Sequence, residues 1–241
     1  MEQDQLPVDR EAEAPAYSVP WSVMDTWLGV GLLALLSLGM LIILFLGIGR
    51  QQYMQNASVL LLELIYLLPI LLIFGWRRIS WKYLGFGKFS INVIGIGCGL
   101  LVGAYVLIFL HNTVLNLLGI DTQGDQILEM FNQLESPVWF FLVAAVIAPI
   151  VEELFFRGFL FQGLRQAYGW LPGLLLSSAI FGVAHLDPVS LVPTFVLGCV
   201  LAYLYHRSNS VWPGIVFHAT INSLSLIAVY VISQNPSLFP S

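Results

Sequence analysis

Residues 144–160 read AAVIAPIVEELFFRGFL, an apolar run interrupted by Pro149, Glu152, Glu153 and Arg157. With its flanks it is long enough to cross a bilayer, since a spanning helix needs about 20 mostly apolar residues. A carboxylate at such depth costs about 2.5–3.5 kcal/mol on insertion scales, so two adjacent ones require partners or a water-filled cavity. Glu153 and Arg157 are four residues apart with the acid first, the favourable order for an ion pair on one helix face. Glu152 is rotated by about 100° from that face and is left to point into the bundle, which makes it the candidate general base.

Working outward, 58% apolar and 10% charged residues in 241, with a mean hydropathy of +0.85, fit an integral multi-pass membrane protein. Apolar segments at Trp27–Gly49, Ser58–Trp76, Ile91–His111, Val138–Leu164, Leu171–His185, Leu191–Tyr205 and Trp212–Ile232 predict an all-α polytopic bundle of seven spans, within a range of six to eight. The seven tryptophans, Trp21 included, fall near proposed ends, as headgroup-level rings do. Residues 1–26 read as an acidic, disordered tail with no basic n-region of a signal peptide. Residues 27–136 read as N-terminal spans, 137–232 as the catalytic core and 233–241 as a short tail. Gly95, Gly97, Gly99 and Gly103 mark close helix packing. Cys98 and Cys199 have no CxxC spacing and read as small buried thiols. No basic surface is available for nucleic acid; the lipid bilayer is the expected surrounding.

Arg77, Arg78, Lys82 and Lys88 share one loop, Arg165 and Arg207 fall in two others, and Arg10 precedes the first span, while Arg50 lies opposite. The positive-inside rule then places the N-terminus in the cytoplasm. Segment 112–137, with Asp121, Asp125, Glu129 and Glu135 and no Lys or Arg, lies outside, and its Gln126–Leu134 portion is expected as a short amphipathic surface helix.

Two more polar constellations follow. His185 closes SSAIFGVAHLDP (177–188) one turn after Phe181, and His218 and Asn222 lie one turn apart in WPGIVFHATINSL (212–224). A carboxylate, two imidazoles and a carboxamide meet the needs of peptide hydrolysis: Glu152 to deprotonate water, a histidine to orient the water or protonate the leaving amine, and Asn222 with the other histidine to donate to the oxyanion. Neither a GxSxG elbow nor an HExxH is present. Glu152, His185 and His218 also form the donor set of a catalytic zinc. Since Arg157 holds Glu153 and Asn is an uncommon zinc ligand, a metal-free glutamate mechanism is the expectation and zinc the alternative. Glu63, near Tyr66 and Pro69 in the second span, is a candidate to pair with a motif residue or line a water path. His111 and Asn112 read as interfacial, and His206 as a solvated loop residue.

The pattern Glu152-Glu153-x-x-x-Arg157, Phe181-x-x-x-His185, His218-x-x-x-Asn222 resembles that of the CAAX protease and bacteriocin-processing family (CPBP, also called Abi), which includes the type II CAAX prenyl endopeptidases; the resemblance covers roughly residues 137–232. It implies that Glu152 and His185 activate water and that His218 and Asn222 form an oxyanion hole, with Glu153, Arg157 and Phe181 in support. The expected function is an intramembrane endopeptidase opening toward the cytoplasmic leaflet and cutting a membrane protein or lipid-modified peptide. The alternative is a non-catalytic scaffold or bacteriocin-immunity-type protein using the same network structurally. One expectation strains: at 1.5 Å per residue His218 comes out at ~9 Å from the cytoplasmic face and His185 at ~22 Å.

Overall fold

The computed structural model describes residues 18–46, 60–132 and 137–235. Among these, eight helices follow in order: α1 (Val23–Phe45), α2 (Leu60–Arg77), α3 (Asn92–Leu117), α4 (Gln123–Asn132), α5 (Val138–Tyr168), α6 (Trp170–Ala184), α7 (Leu191–Ser208) and α8 (Val211–Gln234). Five of them, α1, α2, α3, α5 and α8, are long and apolar enough to cross a bilayer. The chain is an all-α, multi-pass membrane protein. The elements match the expected segments within a few residues, and the amphipathic surface helix is present as α4.

Helix α5 is the centre. Every residue from Val151 to Leu164 is buried, whereas α1 and α3 turn Leu35, Leu38, Val102 and Phe109 outward, as helices facing lipid do. α5 is not uniform: two π-helical stretches, Val143–Ile147 and Leu154–Phe161, interrupt its α-turns. The first precedes Pro149, whose missing N–H and bulky ring disfavour a regular α-turn there. α6 packs on α5 and α7, α7 also packs on α3, and α8 packs on α4, α5 and α7.

Chain segment 78–91 is mostly exposed, but its 3₁₀ turn, Trp81–Leu84, sets Leu84 inward against α5. A Cβ on Gly158 would come to 2.9 Å from the Leu84 carbonyl oxygen, so a glycine there admits the turn. Gln162 Nε2 donates to the Tyr83 carbonyl at 2.8 Å and also to that of Gly158. Val211 N then donates to Gly85 O at 2.8 Å and Ser210 Oγ to Gly87 O at 2.7 Å, so α8 starts inside the bundle.

Several expectations need correction. Residues 18–26 are part of the packed structure rather than a tail. Trp21 is 2% exposed and stacks on Phe159 instead of sitting at a headgroup. Ser22 and Asp25 cap α1 reciprocally, Ser22 N to Asp25 Oδ2 at 2.9 Å and Asp25 N to Ser22 Oγ at 3.1 Å; residues 1–17 lie outside the described residues. His206 belongs to the last turn of α7 and stacks on Trp170 with ring centroids 4.9 Å apart, so it is not a solvated loop residue. His111 bonds across to the Val189 carbonyl at 3.2 Å. Of the four glycines, Gly97 alone meets a neighbour, the Phe217 ring of α8; Gly95, Gly99 and Gly103 face open space.

Candidate active site

Glu153 lies fully inside α5 and shares one oxygen between two helices. Arg157 Nη1 donates to Glu153 Oε1 at 2.6 Å, and His218 Nδ1 contacts the same oxygen at 3.1 Å. The expected ion pair is present, but it also holds an imidazole. Gly214, one turn before His218, makes room: a Cβ there would sit 2.5 Å from Glu153 Oε2. Arg157 Nη2 reaches the Gly198 carbonyl at 3.3 Å, and its guanidinium lies 4.4 Å over the Phe181 ring. Both members are buried, Glu153 at 0% and Arg157 at 1% exposed.

A carboxylate can only accept, so Nδ1 of His218 carries the proton shared with Glu153, and Nε2 is turned the other way. There it faces Glu152 Oε2 at 3.9 Å, beyond a direct hydrogen bond. His185 is fixed by the same logic. It caps α6, and its Nδ1 donates to the Phe181 carbonyl at 2.8 Å, one of the carbonyls left unpaired at a helix end. Its Nε2 is therefore an acceptor. Phe181 touches both imidazoles edge-on, His185 at 4.7 Å and His218 at 5.7 Å between centroids, and so spaces them.

Asn222 has a local cause. In the first π stretch Ala148 N–H goes to Val143 O, and Pro149 has no N–H, so Ala144 O lacks a backbone donor. Asn222 Nδ2 supplies one at 2.8 Å. One amide hydrogen is thereby used, and the other remains for the cavity.

Glu152, His185, His218 and Asn222 all line one cavity of about 320 Å³. The ~13 Å depth gap predicted from helix rise is thus removed. Glu152, sixteen residues or ~24 Å from the end of α5 at Tyr168, is level with His185, ~22 Å along α6. The inward turn at Gly85 raises the start of α8, and with it His218.

Glu63 also lines this cavity. Pro69 cannot donate to Ile65 O, and α2 breaks at Ile65–Tyr66, with Tyr66 N bonded to Glu63 O at 3.2 Å. The break turns the Glu63 carboxyl toward that of Glu152, close enough for a hydrogen bond. Each of the two keeps one buried oxygen, Oε2, without a protein partner. Of the two roles expected for Glu63, it pairs with a motif residue at the cavity wall. Gly214 and Ala144 escaped the sequence reading, although Gly214 stands four residues before His218 on the same face.

Among the described residues no group of three or more His, Cys, Asp or Glu side chains is arranged to hold a metal ion. The bonds at Nδ1 of His185 and His218 leave both Nε2 atoms free, so zinc keeps its place as the alternative.

The cavity's direction departs from expectation. Most of its lining lies toward one end of the bundle: Phe140 and Ala144 early in α5, Thr194 early in α7, Ser225 late in α8, and Gln123 on α4, while Leu201 and His218 reach past the midpoints of α7 and α8. That end carries the 118–122 and 185–190 connections. Arg77, Arg78, Lys82, Lys88, Arg165 and Arg207 are all at the other end. Under the charge-based orientation the site does not open toward the cytoplasmic leaflet.

Comparison with known proteins agrees with the motifs. Residues 134–224 match the family "Type II CAAX prenyl endopeptidase Rce1-like". The chain is 28% identical over 109 residues to "Putative membrane peptidase YdiL" of Bacillus subtilis (strain 168), covering 45% of each chain. It is 23% identical over 99 residues to UPF0177 protein YxdF of Lactococcus lactis subsp. lactis (strain IL1403), covering 41% of this chain and 54% of that one. The chain thus spans about half the length of the curated relatives it matches. No solved structure matches. The residues that carry the three motifs, Glu152, His185, His218 and Asn222, all fall within the 134–224 stretch that matches the Rce1-like family.

Proposed function

We propose that the chain is an intramembrane endopeptidase that hydrolyses a peptide bond near the membrane surface, of CAAX type or related, with its catalytic core in residues 137–232. The observation that carries this reading is the 3.9 Å gap between Glu152 Oε2 and His218 Nε2, inside a helical bundle and on a cavity that also receives His185 and Asn222. Buried charge of this kind is functional by default in a membrane.

The chemistry follows from the donors and acceptors. His185 Nε2 accepts a hydrogen bond from the attacking water and orients it. Glu152 takes the water's proton, the oxygen adds to the scissile carbonyl carbon, and the carbonyl π electrons move onto its oxygen. His218 Nε2–H, as imidazolium backed by Glu153, and the free Asn222 N–H donate to that oxyanion. Collapse reforms the carbonyl, breaks the C–N bond, and returns the proton from Glu152 to the leaving amine. Glu63, in its protonated form, donates to Glu152 and holds that carboxylate in line. General acid–base action of this sort contributes roughly 10²–10⁴-fold, and an oxyanion donor roughly 10²–10³-fold. No step uses a metal, and activity is expected to survive chelation.

The test compares membrane proteomes of cells carrying the wild-type chain and Glu152→Gln. Peptides trimmed in the wild type alone are the expected result. Identical proteomes, with a phenotype that also survives alanine at Glu152, His185 and His218, would favour the scaffold. The Asn222–Ala144 bond is what speaks for that second reading, since it gives Asn222 a purely structural use.

A further inference from the structure

We propose that the site is entered from the non-cytoplasmic side, so that its substrates are peptide segments reaching the bilayer from that side, not chain ends held at the cytoplasmic leaflet. The inference rests on the peptidase reading for the word substrate, but its geometry stands alone. The cavity descends from one end of the bundle to its middle: Gln123 and Ile127 of α4 near the mouth, Thr194 and Ser225 along the walls, Glu152 and His218 at the floor. Below the floor, Val151 to Leu164 are buried without interruption, and Leu84 and the Tyr83 carbonyl pack into α5. The other end is thus plugged.

Charge orients the bundle. Among the described residues, Arg77, Arg78, Lys82, Lys88, Arg165 and Arg207 stand at the plugged end and Arg157 is internal. No described Lys or Arg stands on the mouth's side, which carries Asp121 and Asp187. Lys and Arg bias in short loops is the feature that sets orientation. Six basic residues at the plugged end therefore place that end in the cytoplasm and the mouth across the membrane. α4, whose polar Gln123 and apolar Ile127 share the mouth, lies where an incoming peptide passes from water into lipid.

Orientation is tested in intact cells expressing the full chain with Cys98→Ala and Cys199→Ala, carrying single cysteines at the mouth's end (Leu118→Cys or Asn235→Cys) or the plugged end (Lys82→Cys or Lys88→Cys). All four positions are exposed. The probe is a membrane-impermeant maleimide. Leu118→Cys and Asn235→Cys are expected to label in intact cells, and Lys82→Cys and Lys88→Cys only after permeabilisation; the reverse pattern overturns the proposal. Two positions at each end guard against one that fails to fold. In parallel, peptides in the medium and in the cytosol are compared between wild type and Glu152→Gln. Wild-type-specific products in the medium support the proposal, and products confined to the cytosol overturn it. Absence of any difference, with labelling as expected, counts against the peptidase reading and leaves the entry side established.

Discussion

Glu153→Ala should separate what holds the site together from what makes it work. Arg157 is 1% exposed, and its pairing with Glu153 Oε1 at 2.6 Å is its sole carboxylate contact within 4 Å among the described residues. Removing one partner of a buried pair leaves an uncompensated charge and destabilises by about 3–5 kcal/mol. That is a large part of the roughly 5–15 kcal/mol that holds a typical domain folded, and it raises the unfolded fraction by roughly 10²–10⁴-fold. Thermal unfolding of the purified protein in detergent reads this directly. Glu153→Ala with Arg157→Met removes both charges and keeps apolar bulk, so stability should return to within about 1 kcal/mol of wild type. Cleavage should not return, because His218 Nδ1 has lost the oxygen that orients it at 3.1 Å. Two results would refute the reasoning: Glu153→Ala within about 0.5 kcal/mol of wild type, the range of an ordinary surface change, or full cleavage by the double variant.

Three further outcomes are expected. Asn222→Ala removes the side-chain donor to Ala144 O and should lower stability by about 0.5–1.5 kcal/mol in the same unfolding measurement; an unchanged midpoint would show that the π stretch does not need it. Gly158→Ala pushes a methyl to 2.9 Å from Leu84 O and should cost about 1–3 kcal/mol as the inward turn is displaced, whereas Gly99→Ala, which faces open space, serves as the silent control. Glu63→Gln should fold normally and lose less turnover in a cleavage assay than the roughly 10²–10⁴-fold expected for Glu152→Gln; equal losses would make Glu63 a second base and not a positioning group.

The apolar segments of the chain determine its class, its helices and most of their limits, because a bilayer imposes a length and a composition that can be read one residue at a time. The same rule makes Glu152, Glu153, Arg157 and His218 conspicuous, since a polar group in hydrocarbon needs a reason. Spacing also determines the Glu153–Arg157 pair, both on one helix. What crosses between helices was decided only in three dimensions. The His218–Glu153 contact, the Asn222–Ala144 bond and the Glu63–Glu152 pair depend on how far each helix slides along its neighbours. That offset is set by the inward turn at Leu84, which no local pattern encodes, and by the breaks near Pro69 and Pro149, which the prolines mark without fixing how the helices then sit. His185 and His218, which simple rise per residue separates, line one cavity, and α8 begins at the inward turn, where Val211 bonds to Gly85. The direction of the cavity is likewise tertiary: it follows from which halves of α5, α7 and α8 leave space between them, and it turns the mouth away from the end that the charges of the sequence assign to the cytoplasm.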